Sequence, residues 1–239
     1  MTQISALINK CLFVTLGLTF STLIYAQQPF QTYDMIVSDP AGVVAALDKF
    51  KASQTGQQAS STVVLSQYIA NGESLATHQI LVIYPTILDM DLELKRNATS
   101  DDWSELLTDI RSAASVEAEG IGQVLATAGN PNDPVMTAIG RTRVTYQLSV
   151  DDPATYASAW SDFANDNLQE NIVSVLGSVI AFGANPSTHL VSNVYSSLGE
   201  ALSNQPQTME GYDEFLQRVS SIRTVEGRVI STVVGEWRP

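Results

Sequence analysis

Apolar residues first recur at every second position, then at every third or fourth, and this order occurs twice along the chain. Tyr33, Met35 and Val37 form the first alternating run, and Val144, Tyr146, Leu148 and Val150 form its counterpart. A period of two predicts strands. Asp-Pro follows each run, at Asp39-Pro40 and Asp152-Pro153. Asp there can cap a helix, and Pro is tolerated at its first position. Val43, Val44, Leu47 and Phe50, then Tyr156, Trp160 and Phe163, have the spacing of one helix face. Two β-rich runs come next in each half: Thr62 to Ala70 and His78 to Tyr84, then Val173 to Phe182 and His189 to Tyr195. Asn71-Gly72 and residues 183–186 supply the turns. A second helix carries Trp103, Leu106, Leu107 and Ile110, or Tyr212, Phe215, Leu216 and Val219. A last strand lies near Gly122 to Thr127 and near Arg228 to Val234.

Residue identities reinforce the pattern. Tyr33 to Pro40 aligns with Tyr146 to Pro153 at an offset of 113. Thr77-His78 aligns with Thr188-His189 at 111, Trp103 to Leu107 with Tyr212 to Leu216 at 109, and Glu119-Gly120 with Glu226-Gly227 at 107. Offsets that fall in small steps are what loop deletions between two copies of one unit produce, and internal repeats of this kind define an architecture. The expected division is a leader over 1–26, a first repeat over 27–129, a linker over 130–140 and a second repeat over 141–239.

The order β-α-β-β-α-β is the ferredoxin-like unit, with one sheet face covered by helices and the other bare. Two copies can bury their bare faces against each other. On element order, the strand-Asp-Pro-helix start and the paired Thr-His strands, the chain resembles the dimeric α+β barrel superfamily in a tandem two-copy form. The resemblance implies an α+β fold in which two ferredoxin-like units pack as a pseudo-dimeric barrel. It also implies a range of activities: cofactor-free monooxygenases, small isomerases, stress-responsive barrels and haem enzymes of the chlorite dismutase-like group. Function on a shared fold has to be argued from the site.

Charge and the N-terminus narrow the setting. Lys10 precedes an uncharged apolar run, Cys11 to Tyr25, which closes at Ala26. That is the pattern of a signal peptide cleaved after Ala26. A membrane span needs about 20 apolar residues, and Gln27-Gln28 ends this run early. The expected product is periplasmic or secreted, with no span after cleavage. Cys11 is the only cysteine, so the mature chain is expected to lack disulfides and thiolate sites. The formal net charge is −13, and loss of Lys10 with the leader makes it −14. A chain this acidic lacks the basic footprint of nucleic-acid binding.

Only two histidines occur, at matching positions. His78, Ile80, Val82 and Tyr84 share one strand face, as do His189, Val191, Asn193 and Tyr195. Such a face could line a barrel cavity, with His78 or His189 as proton acceptor or ligand. Each His and its Tyr stand roughly 20 Å apart at about 3.3 Å per residue, so they make no local dyad. His78, His189, Tyr84 and Tyr195 are the catalytic candidates; Ile80, Val82, Val191 and Asn193 are the ligand-binding ones. The other reading is that Thr-His simply begins a strand. No metal set is expected, because neither a His-x-His nor a His-x-x-x-His pair occurs. Gly120-Ile121-Gly122 lacks the context of a nucleotide loop. Trp103, Tyr156, Trp160, Tyr212 and Phe215 are expected to pack the core. Arg218, Arg223 and Arg228 are expected in solvent, which leaves haem without a distal arginine. The expected cofactor is therefore none, with haem held as a remote option.

Three functional expectations follow. The first is an exported protein that binds a small, largely apolar ligand. The second is a cofactor-free monooxygenase or isomerase with a strand histidine as base. The third is a protein-interaction module using an open sheet edge. The oligomeric state is not set by the sequence.

Overall fold

The computed structural model describes residues 28–129, 136–168, 172–183 and 185–239. The expected leader and residues 130–135 of the expected linker lie outside the described residues. The first half runs β1 (Pro29–Val37), α1 (Pro40–Ala52), β2 (Thr62–Ala70), β3 (His78–Ile83), α2 (Ile87–Asn97), α3 (Asp101–Ala113) and β4 (Ala114–Ala128). The second runs β5 (Thr142–Val150), α4 (Pro153–Asn167), β6 (Val173–Phe182), β7 (His189–Tyr195), α5 (Leu198–Ser203), α6 (Tyr212–Val219) and β8 (Arg223–Trp237).

Capping starts the helices where the sequence placed it. Asp39 Oδ1 accepts from Gly42 N at 3.0 Å, and Asp152 Oδ1 from Thr155 N at 3.1 Å. Ser100 Oγ accepts from Trp103 N at 3.2 Å, so Ser100 opens the helix that carries Trp103. The helix that the apolar pattern did not announce is α2. Its apolar residues Ile87, Leu88 and Leu92 are exposed, while Met90, Glu93 and Asn97 are buried. Glu93 holds it to the start of β2 by accepting from Ser61 Oγ at 2.6 Å and Ser60 N at 3.1 Å. A helix fixed by a buried carboxylate leaves no apolar stripe to read.

The strands close into one antiparallel barrel in the order β1-β3-β2-β8-β5-β7-β6-β4. β4 and β8 are each 15 residues long, well beyond their expected stretches. Each pairs with the first strand of its own half and then reaches the other half: β4 meets β6, with Val124 opposite Gly177, and β8 meets β2, with Val63 opposite Trp237. Closure removes sheet edges, so among the described strands no edge remains for the interaction-module expectation.

Helices cover the outside. Met35, Val43, Leu47, Phe50, Leu65 and Leu106 form the first helix-facing core; Leu148, Tyr156, Trp160, Leu176, Phe215 and Val219 form the second. Each long strand enters the opposite core. Trp237 packs into the first, and its Nε1 donates to Asp48 Oδ1 at 2.7 Å. Leu125, Ala126 and Ala128 of β4 pack into the second.

Candidate functional site

His78 and His189 begin β3 and β7 in equivalent settings, each only 6% exposed. Their Nδ1 atoms lie 2.9 Å from Thr77 Oγ1 and Thr188 Oγ1. Those hydroxyls accept from Val37 N and Val150 N, at 3.0 Å each. Thr77 N and Thr188 N in turn donate to Met35 O and Leu148 O. The Thr-His pair thus ties the start of one strand to the end of its neighbour. His78 stands opposite Met35 and His189 opposite Leu148, both helix-facing core residues. Directly opposed residues point to one side of a sheet, so both rings turn toward the helix-facing cores, and His189, at the start of β7, also borders the barrel interior. Burial lowers both imidazole pKa values, which keeps the rings neutral at neutral pH.

Beyond the histidines the two strands differ. Ile80 and Val82 lie in or against the first core, and Tyr84 is buried with its hydroxyl donating to Gln31 Oε1 at 2.7 Å. In the second half, Val191, Asn193 and Tyr195 border a cavity of about 340 Å³ between helices and sheet. α4 contributes Tyr156, Trp160 and Phe163, and α6 contributes Tyr212 and Phe215. Phe163 stacks on Phe215 at 4.9 Å, and Tyr156 meets Phe215 edge-on at 6.3 Å. Arg223 lies 5.2 Å from the Phe215 ring and Arg228 5.4 Å from Tyr146. Asn193 Oδ1 accepts from Ser174 Oγ at 2.6 Å. Burial pushes the Tyr195 phenol up to about 12 and raises Tyr146 and Tyr156 as well. All three are neutral hydrogen-bonding groups.

The cavity revises two expectations. The aromatic residues of α4 and α6 do pack the core, yet they leave room inside it. Arg223 is half-buried along that room, whereas Arg228 borders it and stays exposed to solvent as expected. Both sit on β8, which starts five residues earlier than its apolar pattern suggested. A recognisable signal existed: β5, α4 and α6 concentrate Tyr146, Tyr156, Trp160, Phe163, Tyr212 and Phe215 where the first half has smaller side chains at several matching positions.

The opposite sheet face encloses the barrel lumen, where a second cavity of about 120 Å³ remains. Phe30, Leu81, Ile83, Val175 and Val194 make its apolar wall, and Tyr68, Gln79, Arg143, Thr145, Gln147, Ser192 and His189 also border it. Asp34 anchors a polar group here. Its Oδ1 accepts from Tyr68 Oη at 2.6 Å and from Gln79 Nε2 at 2.9 Å. Burial raises the Asp34 pKa against the opposing pull of those two donors. These residues escaped sequence reading because Asp34, Gln79 and Arg143 occupy the polar phase of alternating strands. That phase is solvent-facing in a one-sided sheet, but lumenal in a closed barrel. Among the described residues no cluster of three His, Cys, Asp or Glu side chains is placed to hold a metal, and no helix is long and apolar enough to cross a membrane.

No family model matches the chain, and no curated protein matches it. Solved structures do. A Fusobacterium nucleatum protein proposed to be a monooxygenase shares 15% identity over 90% of this chain and 96% of its own, with a TM-score of 0.59. An anthrone oxidase-like protein shares 10% over 89% and 93%, at 0.56. A proposed chlorite dismutase shares 10% over 87% and 95%, at 0.55. The likeness is one of fold: the chain shares the α+β barrel of these proteins.

The expectation of no cofactor is corrected by these matches. The proposed chlorite dismutase among them carries the name of the group for which the resemblance implies haem. Haem iron takes His, Cys, Met or Tyr as axial ligand. In the helix–sheet cavity those types are Met209 and the tyrosines, and burial keeps Tyr146, Tyr156 and Tyr195 protonated. His189 borders the lumen instead, a space below the roughly 300 Å³ of ordinary ligand pockets. Neither cavity fits a histidine-ligated haem.

Proposed function

We propose that this chain is an exported tandem α+β barrel that binds a small, largely apolar molecule in the helix–sheet cavity of its second half. The observation that carries the proposal is the cavity itself. Its volume of about 340 Å³ falls within the range of small-molecule sites, and its lining follows their pattern of aromatic walls with a few polar groups. Arg223 and Arg228 favour a ligand with an anionic substituent, while Asn193 and Tyr195 offer neutral hydrogen bonds. The test uses anthracene-9-carboxylate, an aromatic carboxylate whose fluorescence reports binding. Ala164 is buried in the cavity wall, so Ala164→Phe should weaken binding at least tenfold. Unchanged binding in a folded A164F would overturn the proposal. Intact mass of the chain recovered from its host should begin at Gln27; retention of residues 1–26 would overturn export by cleavage.

A second reading is favoured by the proposed monooxygenase and the anthrone oxidase-like protein among the fold neighbours. In it the same cavity holds an activated phenol, and dioxygen oxidises the ring methylene to a quinone with release of water, the electrons coming from the substrate. His189 is the candidate base: it lies outside the cavity lining but shares a face of β7 with Val191, two residues and about 7 Å away. Oxygen consumption with anthrone, abolished by His189→Gln and by A164F, would support it. Rates equal to the uncatalysed reaction would exclude it.

A further inference from the structure

Arg143 is the unexplained charge of this fold. It lies on β5, 6% exposed, and borders the lumenal cavity. Its hydrogen bond goes from Nη2 to Met136 O at 3.3 Å, a neutral acceptor at the long end of the range. Among the described residues no carboxylate lies within ion-pair distance of it. Asp34 is engaged elsewhere, accepting from Tyr68 and Gln79. A buried cation without a counter-charge is strongly unfavourable, and structures tolerate one where an anion arrives to pair with it. Ser187 Oγ, also in the cavity lining, is buried without a partner.

We propose that the barrel lumen is a second binding site, separate from the helix–sheet cavity, which takes a short-chain aliphatic monocarboxylate with its carboxylate on the Arg143 guanidinium. The planar fork of Arg matches a carboxylate bidentately. Tyr68 marks the same end of the lumen, because Tyr68 and Arg143 stand opposite Ser231 from its two sides, on β2 and β5. Much of the remaining wall is apolar, with Phe30, Leu81, Ile83 and Val194 among its residues, and its polar members besides Tyr68, such as Gln79, Thr145 and Ser192, are uncharged. Size sets the tail. A dry apolar cavity of about 150 Å³ accommodates benzene, so 120 Å³ suits a carboxylate followed by roughly three to four carbons. A dicarboxylate would bring a second charge to a wall with no second cation.

The test is calorimetric titration of the full chain with sodium butyrate, with butyramide as the neutral isostere and sodium chloride at matched ionic strength. Butyrate should bind with a Kd of about 1 mM or tighter and raise Tm, and neither control should. Arg143→Met removes the charge but keeps the bulk. Its ligand-free Tm should equal or exceed that of the native chain, and its butyrate response should be lost. Arg143→Lys keeps the charge without the fork, so it should bind butyrate about tenfold more weakly and keeps the proposal testable should R143M not fold. Equal saturation by chloride, a butyrate response retained in R143M, or affinity in R143K equal to native would each overturn the proposal. So would the absence of butyrate binding to the native chain. Anthracene-9-carboxylate binding in R143M separates the two sites, since the helix–sheet cavity does not include Arg143.

Discussion

Ser192 and Asn193 are neighbours on β7 that open into different cavities: Ser192 borders the barrel lumen, and Asn193 borders the helix–sheet space. Each is held by one short hydrogen bond on its own side, Ser192 Oγ with Thr145 Oγ1 and Asn193 Oδ1 from Ser174 Oγ, both at 2.6 Å. Substitutions here should therefore separate. Asn193→Leu should weaken anthracene-9-carboxylate binding about tenfold and cost about 1–2 kcal/mol, since Ser174 loses its partner. Ser192→Val should leave that binding unchanged. Denaturant unfolding and fluorescence titration measure both.

Gly120 supports the lumen by having no side chain. A Cβ there would stand 2.3 Å from Phe182 Cδ2 and 2.6 Å from Thr32 Oγ1. Gly120→Ala should cost about 1–3 kcal/mol through overpacking, and Phe182→Leu should recover part of it. A double-mutant cycle with additive costs would rule out the contact.

The histidines predict acid sensitivity. Both folded pKa values are lowered by burial, whereas an unfolded histidine titrates near about 6.5. Below that pH the unfolded chain takes up protons first, so this contribution is complete above about 6.5 and is lost as pH falls toward the folded values. Thermal unfolding from pH 8 to pH 5 should show a steeper decline for the native chain than for the His78→Gln, His189→Gln double variant.

Asp34 acts in the opposite sense. Its folded pKa is raised by burial, so the folded chain holds the proton more tightly than an unfolded aspartate, which titrates near about 3.9. Stability from this group is complete below about 3.9 and declines as pH rises through the folded value. Asp34→Asn cannot ionise and keeps an acceptor for Tyr68 and Gln79. The stability difference between variant and native chain should move in favour of D34N between pH 4 and pH 7. A difference independent of pH would show that Asp34 titrates normally.

The elements were legible because their signals are local. The bounds of β2, β6 and β7 are those that alternation and turn residues gave, and Asp39 and Asp152 cap as their positions required. The lengths of β4 and β8 were not legible, since Glu117, Glu119 and Glu226 break the apolar pattern over stretches that pair with partners far away in sequence. The histidines were found but their direction was not. Alternation says that His189 and Val191 share a face without saying whether that face meets helices or lumen. Only closure of the barrel decides this, and it also turned Arg143 from an ordinary polar position into a buried one.

Asp34 on β1 and Gln147 on β5 occupy matching places, as do Gln79 and Leu190, and Tyr68 and Val179, whose amides donate to Thr77 O and Thr188 O. Two identical subunits around such a lumen would have to present every residue twice, related by the two-fold axis. Two carboxylates would then share one dry space, and every cation would face its own image. A single polypeptide is free of that constraint. It sets one acid among its donors in the first half and leaves nonionisable residues at the mirror positions, so the lumen has a direction that no symmetric assembly of this barrel could have.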